Sequence, residues 1–349
     1  MIKYLGSKRT LVPLLTQLAI SSGANTALDL FTGTTRVARG FKEQGIHVTA
    51  VDTASYSHVF AKTWIELDKN TCDQTELDDA LVFLDSLKPS AGYFTKTFCE
   101  DARYFQPKNG ERVDSIRDAI EANYKQSWLY EPLLAALILA ADRVDSTTGI
   151  QMAYLKQWAS RSNNRLELQD PGLIAGSGKA ILGDALEVVS QIEPVDLAYL
   201  DPPYNQHRYF ANYHIWETLV RWDAPGTYGI ANKREDVRTD TNRSPFNSKP
   251  NMAPALERLI SDVKAQTIVL SYNNESWLDR EQLIKMCRVK GEVEVIDVSF
   301  RRYIGGQIGV YNRKGEKVGK PGAKRNTEHV VIAGPKDIVR RMVLASNRA

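Results

Sequence analysis

The amino-acid sequence predicts an α/β fold in which an open, mostly parallel sheet is interrupted by a long helical insertion. Apolar runs at 27–31 and 47–52 are joined by a glycine turn and a helical segment, which is the pattern of a β-α-β unit. Another apolar run, at 195–200, has the length and character of a buried parallel strand. Between these runs, residues 71–175 show mostly helical spacing.

The overall composition is that of an ordinary globular protein, with 349 residues, 43% hydrophobic and 25% charged, and a net charge of +3. The longest apolar run, at 133–141, is too short to span a bilayer, and the N-terminus lacks the apolar core of a signal peptide. Cys72, Cys99 and Cys287 stand far apart without a CxxC pair. This spacing suits a reducing compartment, so we expect a cytoplasmic protein with no membrane segment and no structural metal.

The first segment of interest, residues 3–9, is short, basic and glycine-containing, and it precedes a helical pattern at 11–20. A polar loop before a helix start is a natural site for an anion or a carboxylate. A solvated basic terminus explains the same residues equally well.

The predicted β-α-β unit carries features of a nucleoside site. Gly33 lets the backbone approach a ligand closely, and Asp52 ends the next strand, where an acid can hold ribose hydroxyls. Thr34 and Thr35 replace the glycines of a GxGxxG motif. Their presence argues against a dinucleotide and favours a smaller nucleoside ligand, while a plain β-α-β unit with a turn glycine is the alternative.

The insertion at 71–175 divides the predicted catalytic domain into residues 1–70 and 176–349. Insertions of this kind usually carry specificity rather than chemistry, so we predict a target-recognition region. The alternative is that these helices only complete the core. Helical spacing is clearest at 77–87, 116–124 and 129–144.

The strand predicted at 195–200 ends in an Asp-Pro-Pro-Tyr turn, at the sheet edge where open α/β proteins bind ligands. The prolines fix their own φ angles and lack an N–H, so the turn is stiff. Asp201 and the Pro202 carbonyl can each accept one hydrogen of a planar amine such as a nucleobase NH2, and Tyr204 can stack on its ring. An ordinary strand-to-loop turn is the alternative. The candidate catalytic residues are Asp201, Pro202, Pro203 and Tyr204.

Two aspartates are candidates for the polar edge of a cofactor base. Asp184 follows a short strand and therefore lies at the same sheet edge as Asp201, while Asp101 is its rival. A helix N-cap is the alternative role for Asp184.

Two polar segments in the second half also bear on the site. Residues 224–250 are rich in Gly, Pro and charge and predict a mobile surface loop over the site. Residues 301–325 carry many Arg and Lys among glycines and predict a flexible basic hairpin suited to a phosphate backbone, with a solvated edge loop as the alternative. His207 and His214 are too isolated from other ligand-type residues to predict a metal.

Together these motifs resemble the adenine-N6 DNA methyltransferases of the DNA adenine methylase type. The cofactor motif precedes the catalytic motif, as in that family, but Thr35 stands where the family often has a second glycine. The resemblance implies a Rossmann-like, S-adenosylmethionine-dependent methyltransferase fold with a mixed seven-stranded sheet. The matching stretches are residues 3–8, 29–34, 51–52, 201–204 and 271–275.

The same resemblance implies roles, partners and a reaction. It places Tyr4 and Lys8 near the methionine end of S-adenosylmethionine, and Asp52 on the ribose. It implies double-stranded DNA as substrate, with a flipped adenine against the Asp201 turn, and a cognate restriction endonuclease as a partner. The predicted cofactor-binding set is Tyr4, Lys8, Asp29, Phe31, Gly33, Asp52 and Asp184.

Several alternatives stay open on the sequence alone. A cytosine-C5 enzyme is excluded, because none of the three cysteines adjoins a proline as the catalytic cysteine of those enzymes usually does. A DNA cytosine-N4 methyltransferase and an RNA adenine-N6 methyltransferase use similar chemistry, and Asp201 favours adenine by resemblance only. A non-catalytic DNA-binding protein is the alternative from another class, disfavoured by the intact catalytic turn. An NAD-dependent enzyme would need the missing glycines.

Overall fold

The computed structural model describes residues 1–204, 206, 209–239, 244–301 and 325–346. In the first part of the chain, helices and strands alternate as the sequence predicted. Pro13 lies in the first turn of the first helix, where its missing N–H costs no hydrogen bond. The elements are α1 (Val12–Ser22), β1 (Thr26–Asp29), α2 (Arg36–Lys42), β2 (His47–Asp52) and α3 (Ser55–Ala61), which continues into a π-helical turn at Lys62–Glu66.

Residues 71–175 form helices and no strand. Asp73 caps the first of these helices by accepting the backbone N–H groups of Thr75 and Glu76. The last long helix is buried on nearly every side, which agrees with its apolar run. The elements are α4 (Gln74–Asp85), α5 (Tyr93–Thr95) with a π-helical turn at Lys96–Glu100, α6 (Pro107–Tyr124), α7 (Tyr130–Val144) and a 3-10 turn at Ser160–Asn163.

The alternation of strands and helices then resumes. The central strand of this half is the one that precedes the Asp-Pro-Pro-Tyr turn. The elements are β3 (Gly178–Leu182), α8 (Ala185–Val188), β4 (Val195–Leu200), α9 (Tyr209–Asn212), α10 (His214–Arg221), β5 (Thr227–Tyr228), β6 (Lys233–Arg234), α11 (Lys249–Asp262), β7 (Ala265–Asn273), α12 (Arg280–Cys287), β8 (Glu292–Arg301), β9 (Arg325–Gly334) and α13 (Lys336–Ser346), with 3-10 turns at Val189–Gln191, Glu235–Arg238, Pro245–Asn247 and Arg288–Lys290.

Seven of the described strands form one mixed sheet in the order β3-β2-β1-β4-β7-β9-β8. The first five are parallel, whereas β9 runs antiparallel to both β7 and β8. Strands β1 and β4 are neighbours, and the chain moves away from them in opposite directions, to β2 and β3 on one side and to β7 on the other. Ligands bind at such a switch point in open α/β sheets. The mixed seven-stranded sheet implied by the resemblance is confirmed.

Two hydrophobic clusters cover the two faces of the sheet. One contains Leu28 and Leu200 together with residues of α8, α11 and α12. The other contains Val48 of β2, Phe60 of α3 and Leu134 of α7. Burial of one such side chain stabilises the fold by about 1.5–3 kcal/mol. The helices of the insertion are therefore joined to the sheet through a shared core.

The segment at 224–250, expected as a loop over the site, contributes Ser244 and Asn247 to the wall of the cleft, but its described residues also form regular structure. Strands β5 and β6 form a short antiparallel pair there. Arg234 is 2% exposed and makes a bidentate contact with Asp223, in which each of its Nη atoms is 2.7 Å from one carboxylate oxygen. Phe246 is buried against Phe31, with ring centroids 5.2 Å apart. These buried anchors fold the segment onto the body of the protein.

Most of the predicted basic hairpin at 301–325 lies outside the described residues, as do Asp240, Arg243 and His207. Arg325, at the start of β9, donates to Ser299 Oγ over 2.9 Å. None of the described helices is long and apolar enough to cross a membrane.

Candidate functional site

A cleft opens at the carboxyl ends of the parallel strands, and it gathers residues from distant parts of the sequence. The basic segment before α1 forms part of its wall, together with the β1–α2 turn and the start of α9. Of the predicted site residues, Pro202 and Tyr204 do not line it. Those that do are Tyr4, Lys8, Asp29, Phe31, Gly33, Asp52, Asp184, Asp201 and Pro203.

Strand register explains why four acids reach the same edge. Asp29, the last residue of β1, pairs with Tyr199 of β4, so Asp201 follows just beyond that level. Asp52 pairs with the last residue of β3, so Asp184 also follows just beyond its neighbour. Parallel strands in register bring their carboxyl ends to one edge, and the acids that end them converge.

Asp201 is held by an ion pair. Lys8 Nζ lies 2.9 Å from Asp201 Oδ1. Burial raises the pKa of Asp201 to about 6, although Lys8 opposes this shift. Above that pH the carboxylate is ionised and can accept hydrogen bonds from a ligand amine.

The rest of the turn faces the same region. Pro202 is buried and Pro203 lines the cleft. The Tyr204 ring lies edge-on to Tyr272, with centroids 5.6 Å apart, and Lys8 Nζ lies 5.8 Å from its centre. The contact with Tyr272 orients the Tyr204 ring near Lys8 and Asp201, and Tyr204 does not line the cleft.

Glu328, on β9, is a site residue that sequence reasoning missed. Its Oε1 lies 2.5 Å from Lys8 Nζ, and the side chain is almost fully buried. Burial alone would lower the pKa of Lys8, but the carboxylates of Asp201 and Glu328 raise it well above its ordinary value. The signal in the sequence was a lone acid directly before the apolar residues of a predicted strand. In the structure, Glu328 pairs with Asn273 of β7.

An aromatic stack forms one wall of the site. The Tyr4 ring is stacked on Tyr213 and on Tyr209, with centroid distances of 4.8 and 5.4 Å. The Tyr213 hydroxyl accepts the Leu5 N–H over 2.6 Å. The basic N-terminal segment is therefore fixed against α9 and α10.

The turn between β1 and α2 needs glycine at Gly33. Its φ is +51°, and a Cβ there would lie 3.2 Å from the Tyr4 hydroxyl. The Gly33 N–H donates to Asp52 Oδ2 over 2.8 Å, and the Ala54 N–H donates to Oδ1 over 2.9 Å. Burial raises the pKa of Asp52 to about 6, against these two hydrogen bonds. Thr35 also has a left-handed φ, of +60°.

Asp29 lines the cleft and is 1% exposed. It accepts the Phe31 N–H over 3.4 Å. Burial raises its pKa to about 7, because the ionised carboxylate loses hydration there. A cationic ligand group near this carboxylate would restore its charge.

The structure separates the two candidates for the base edge. Asp184 lines the cleft and also caps α8 by accepting the Leu186 N–H over 2.8 Å. Asp101 is not among the lining residues, and it pairs with the exposed Lys96 at 3.0 Å.

Arg36 lines the cleft as well, and its buried Nε has no hydrogen-bond partner within the described residues. Sequence reasoning missed Arg36, which directly follows the Thr34–Thr35 pair.

His214 is buried beside Gln151. Its Nε2 lies 3.0 Å from the Gln151 carbonyl oxygen, and burial lowers its pKa to about 3, so the ring is neutral. Within the described ranges, no group of three or more His, Cys, Asp or Glu has an arrangement suited to a metal ion.

Comparisons with known proteins identify a family for the chain. The model of the family described as D12 class N6 adenine-specific DNA methyltransferase matches residues 4–286. Modification methylase StsI of Streptococcus sanguinis is 33% identical over 323 residues, which cover 86% of this chain and 49% of that protein. Type II methyltransferase M.NlaIII of Neisseria lactamica is 32% identical over 319 residues, with coverages of 86% and 92%. Type II methyltransferase M.FokI of Planomicrobium okeanokoites is 27% identical over 326 residues, with coverages of 86% and 50%. The chain thus spans about half the length of two of these relatives and nearly all of the third.

Proposed function

Because the chain belongs to the D12 class N6 adenine-specific DNA methyltransferase family, we propose that it methylates the N6 amine of adenine at a specific sequence in double-stranded DNA, with S-adenosylmethionine as the methyl donor. The observation that carries the proposal is the convergence of Asp201 with Gly33 and Asp52 in one cleft. The cleft can then hold the nucleoside of the cofactor near Gly33 and Asp52 while Asp201 accepts the amine of the target base.

The chemistry of the cleft fits S-adenosylmethionine. Asp52 offers a carboxylate to the two ribose hydroxyls, and Asp184 offers one to the amine of the cofactor adenine. Gly33 permits close approach, and Phe31 supplies an apolar wall. Tyr4 and Lys8 are then expected towards the methionine end.

The two charged groups of the methionine end have matching partners. Asp29, whose pKa is raised to about 7 by burial, suits the ammonium, because a positive charge favours the ionised carboxylate. Arg36 suits the carboxylate, because a guanidinium binds carboxylates bidentately. Both side chains lie in the wall of the same cleft as Asp52.

Catalysis by this chain then consists mainly of positioning. The Asp201 carboxylate and the Pro202 carbonyl accept the two N6 hydrogens, which favours a pyramidal nitrogen with a directed lone pair. S-adenosylmethionine, held by Asp52, Asp184 and Arg36, would supply the electrophilic methyl group and leave as the thioether. The proton that N6 loses on methylation would pass to the Asp201 carboxylate or to solvent. Tyr204 stacks on the flipped base and offsets part of the few kcal/mol that unstacking costs.

We also propose roles beyond the cleft. Residues 71–175 are the candidate target-recognition region, because the catalytic elements lie outside them. Relatives bear the names of modification methylases and type II methyltransferases, so a cognate restriction endonuclease is the proposed partner in function. The proposed location is the cytoplasm.

The test is sequencing of modified bases in DNA from cells that express the chain, its Asp201→Ala variant or its Asp196→Asn variant. Asp196 lies at the other end of β4 and accepts the N–H groups of Asn25 and Thr26, so it is a matched control. We expect N6-methyladenine confined to one motif, lost in Asp201→Ala and retained in Asp196→Asn. Unmodified DNA with the wild-type chain, or equal methylation by Asp201→Ala, would overturn the proposal.

A further inference from the structure

Lys8 is buried between two carboxylates, those of Asp201 and Glu328. Its Nζ is 2.9 Å from Asp201 Oδ1 and 2.5 Å from Glu328 Oε1. Glu328 is 2% exposed, and Asn273 Nδ2 donates to its other oxygen over 3.4 Å. The buried Lys8 ammonium is therefore the counter-ion of two carboxylates, of which only Asp201 belongs to the catalytic turn.

The geometry points to Glu328 as a positioning residue that anchors Lys8, so that Asp201 keeps acceptor capacity for the N6 hydrogens of adenine. The inference rests on the proposed function, because Asp201 needs that capacity only if it receives a substrate amine. Lys8 reaches Asp201 through Oδ1, and Oδ2 is the oxygen assigned to the amine. Glu328 itself touches neither substrate nor cofactor in this scheme.

The electrostatic reason is the shared counter-ion. With Glu328 ionised, the attraction of Lys8 is divided between two carboxylates. Without that charge, Lys8 becomes the full counter-ion of Asp201, and the pair is costly to separate because Lys8 is buried. Other groups that bear on this cluster are Asp29 on β1, Tyr199 on β4, Tyr204 after β4, Tyr209 on α9 and Glu275 after β7.

The test is Glu328→Gln, which keeps the shape of the side chain and removes its charge. We expect kcat to fall by about tenfold, the effect of one altered charge-assisted hydrogen bond, with KM for DNA nearly unchanged. We also expect the acid limb of the pH–rate profile to move to lower pH, because the Glu328 charge raises the pKa of Asp201 and Lys8 lowers it. Glu328→Asp, which keeps the charge, should restore the acid limb to its wild-type position.

A second readout does not depend on turnover. The titration midpoint of the Asp201 carboxyl, followed by NMR in the protein without ligands, should fall in Glu328→Gln and stay unchanged in Asp114→Asn. Asp114 is a buried structural carboxylate outside the cleft, which accepts the Gly92 N–H over 2.9 Å. An unmoved midpoint and acid limb in Glu328→Gln would overturn the inference. Absence of methylation by the wild-type chain would instead overturn the proposed function, and the midpoint would still test the link between Glu328 and Asp201.

Discussion

At the scale of the residue, the cleft holds more buried acid than buried base. Burial raises the pKa of Asp29 to about 7 and the pKa values of Asp52 and Asp201 to about 6. Lys8 and Arg36 are the described cations in the wall. A ligand that carries a positive charge is stabilised there, because it relieves the cost of ionising these carboxylates.

Arg36 should discriminate between ligands that differ at their amino-acid end. Arg36→Met is expected to weaken S-adenosylhomocysteine binding by about tenfold or more, the effect of a lost charge-assisted contact. It should leave 5′-methylthioadenosine unaffected, because that ligand lacks the carboxylate. Titration calorimetry with both ligands measures the difference. Arg39→Met is the matched control, since Arg39 stacks on Trp64, 4.7 Å from its ring centre. Equal losses for the two ligands would contradict the assignment.

The pH dependence of methyl transfer should report the ion pair between Lys8 and Asp201. Asp201 must be ionised to accept the amine hydrogens, so the rate should fall as pH drops through its pKa of about 6. Lys8 lowers that pKa. Lys8→Met should therefore move the acid limb to higher pH, in single-turnover rates measured from pH 5 to pH 8 with saturating S-adenosylmethionine.

Lys3→Met is the control for this shift. Lys3 makes its own ion pairs, with Asp142 at 2.9 Å and Asp145 at 3.3 Å, outside the catalytic turn. Its removal should leave the acid limb in place. An acid limb that stays fixed in Lys8→Met, or moves to lower pH, would show that Lys8 does not govern the ionisation of Asp201.

Site residues differ in how far they could be predicted from the sequence. Asp201 and Asp52 end apolar runs, and the carboxyl ends of parallel strands share one edge, so their meeting follows from the pattern. Lys8 and Glu328 are 320 positions apart, and Glu328 lies on a strand that runs antiparallel to its neighbours. No local pattern specifies that contact, because it depends on the position of β9 in the sheet.

At the scale of the element, the β1–α2 turn carries backbone strain. Thr35 has φ +60°, a region that costs an ordinary residue roughly 1–2 kcal/mol. Its N–H donates to the Thr32 carbonyl over 2.7 Å, and its hydroxyl donates to the Thr34 carbonyl over 2.7 Å. These bonds hold the turn, and the positive φ is a conformation that glycine would adopt without this cost.

Helix α5 should depend on one buried side chain of α6. Asp114 accepts the N–H groups of Gly92, Phe94 and Thr95 over 2.8–2.9 Å, and so binds the start of α5 to α6. Asp114→Asn replaces one acceptor oxygen with a donor that faces other donors. We expect the free energy of unfolding to fall by about 2–3 kcal/mol, measured by urea denaturation. Asp78→Asn, on the exposed side of α4, should change it by less than about 0.5 kcal/mol. Equal effects of the two substitutions would contradict this role.

The elements themselves were largely predictable, because period-2 and helical spacing of apolar residues separate strands from helices. The segment at 224–250 was not. Its Gly, Pro and charged residues suggested a mobile loop, but Arg234 is buried by pairing with Asp223 and Asp236. Charge pairing within a polar segment leaves no apolar periodicity, and so the folded structure was hidden from pattern analysis.

At the scale of the whole molecule, the sheet separates two hydrophobic clusters, and the helices at 71–175 belong to the larger one. Val48, Phe60 and Leu134 lie in that cluster, and they come from β2, α3 and α7. The sequence predicted an insertion because the strand pattern stops there. That change of pattern does not reveal whether the inserted helices have a core of their own. In the structure they share one with the catalytic elements.

This shared core leads to a prediction about cooperativity. Leu134→Ala, in the middle of α7, should lower the free energy of unfolding by about 2–5 kcal/mol, the cost of a cavity in a packed core. If the insertion and the sheet unfold as one unit, hydrogen exchange should show the same loss of protection for amides of α7 and of β2. Leu256→Ala, on α11 and in the other cluster, is the matched control for a cavity on the opposite face. Loss of protection confined to α4–α7 in Leu134→Ala would show that the insertion unfolds alone, and that the catalytic elements can be separated from it.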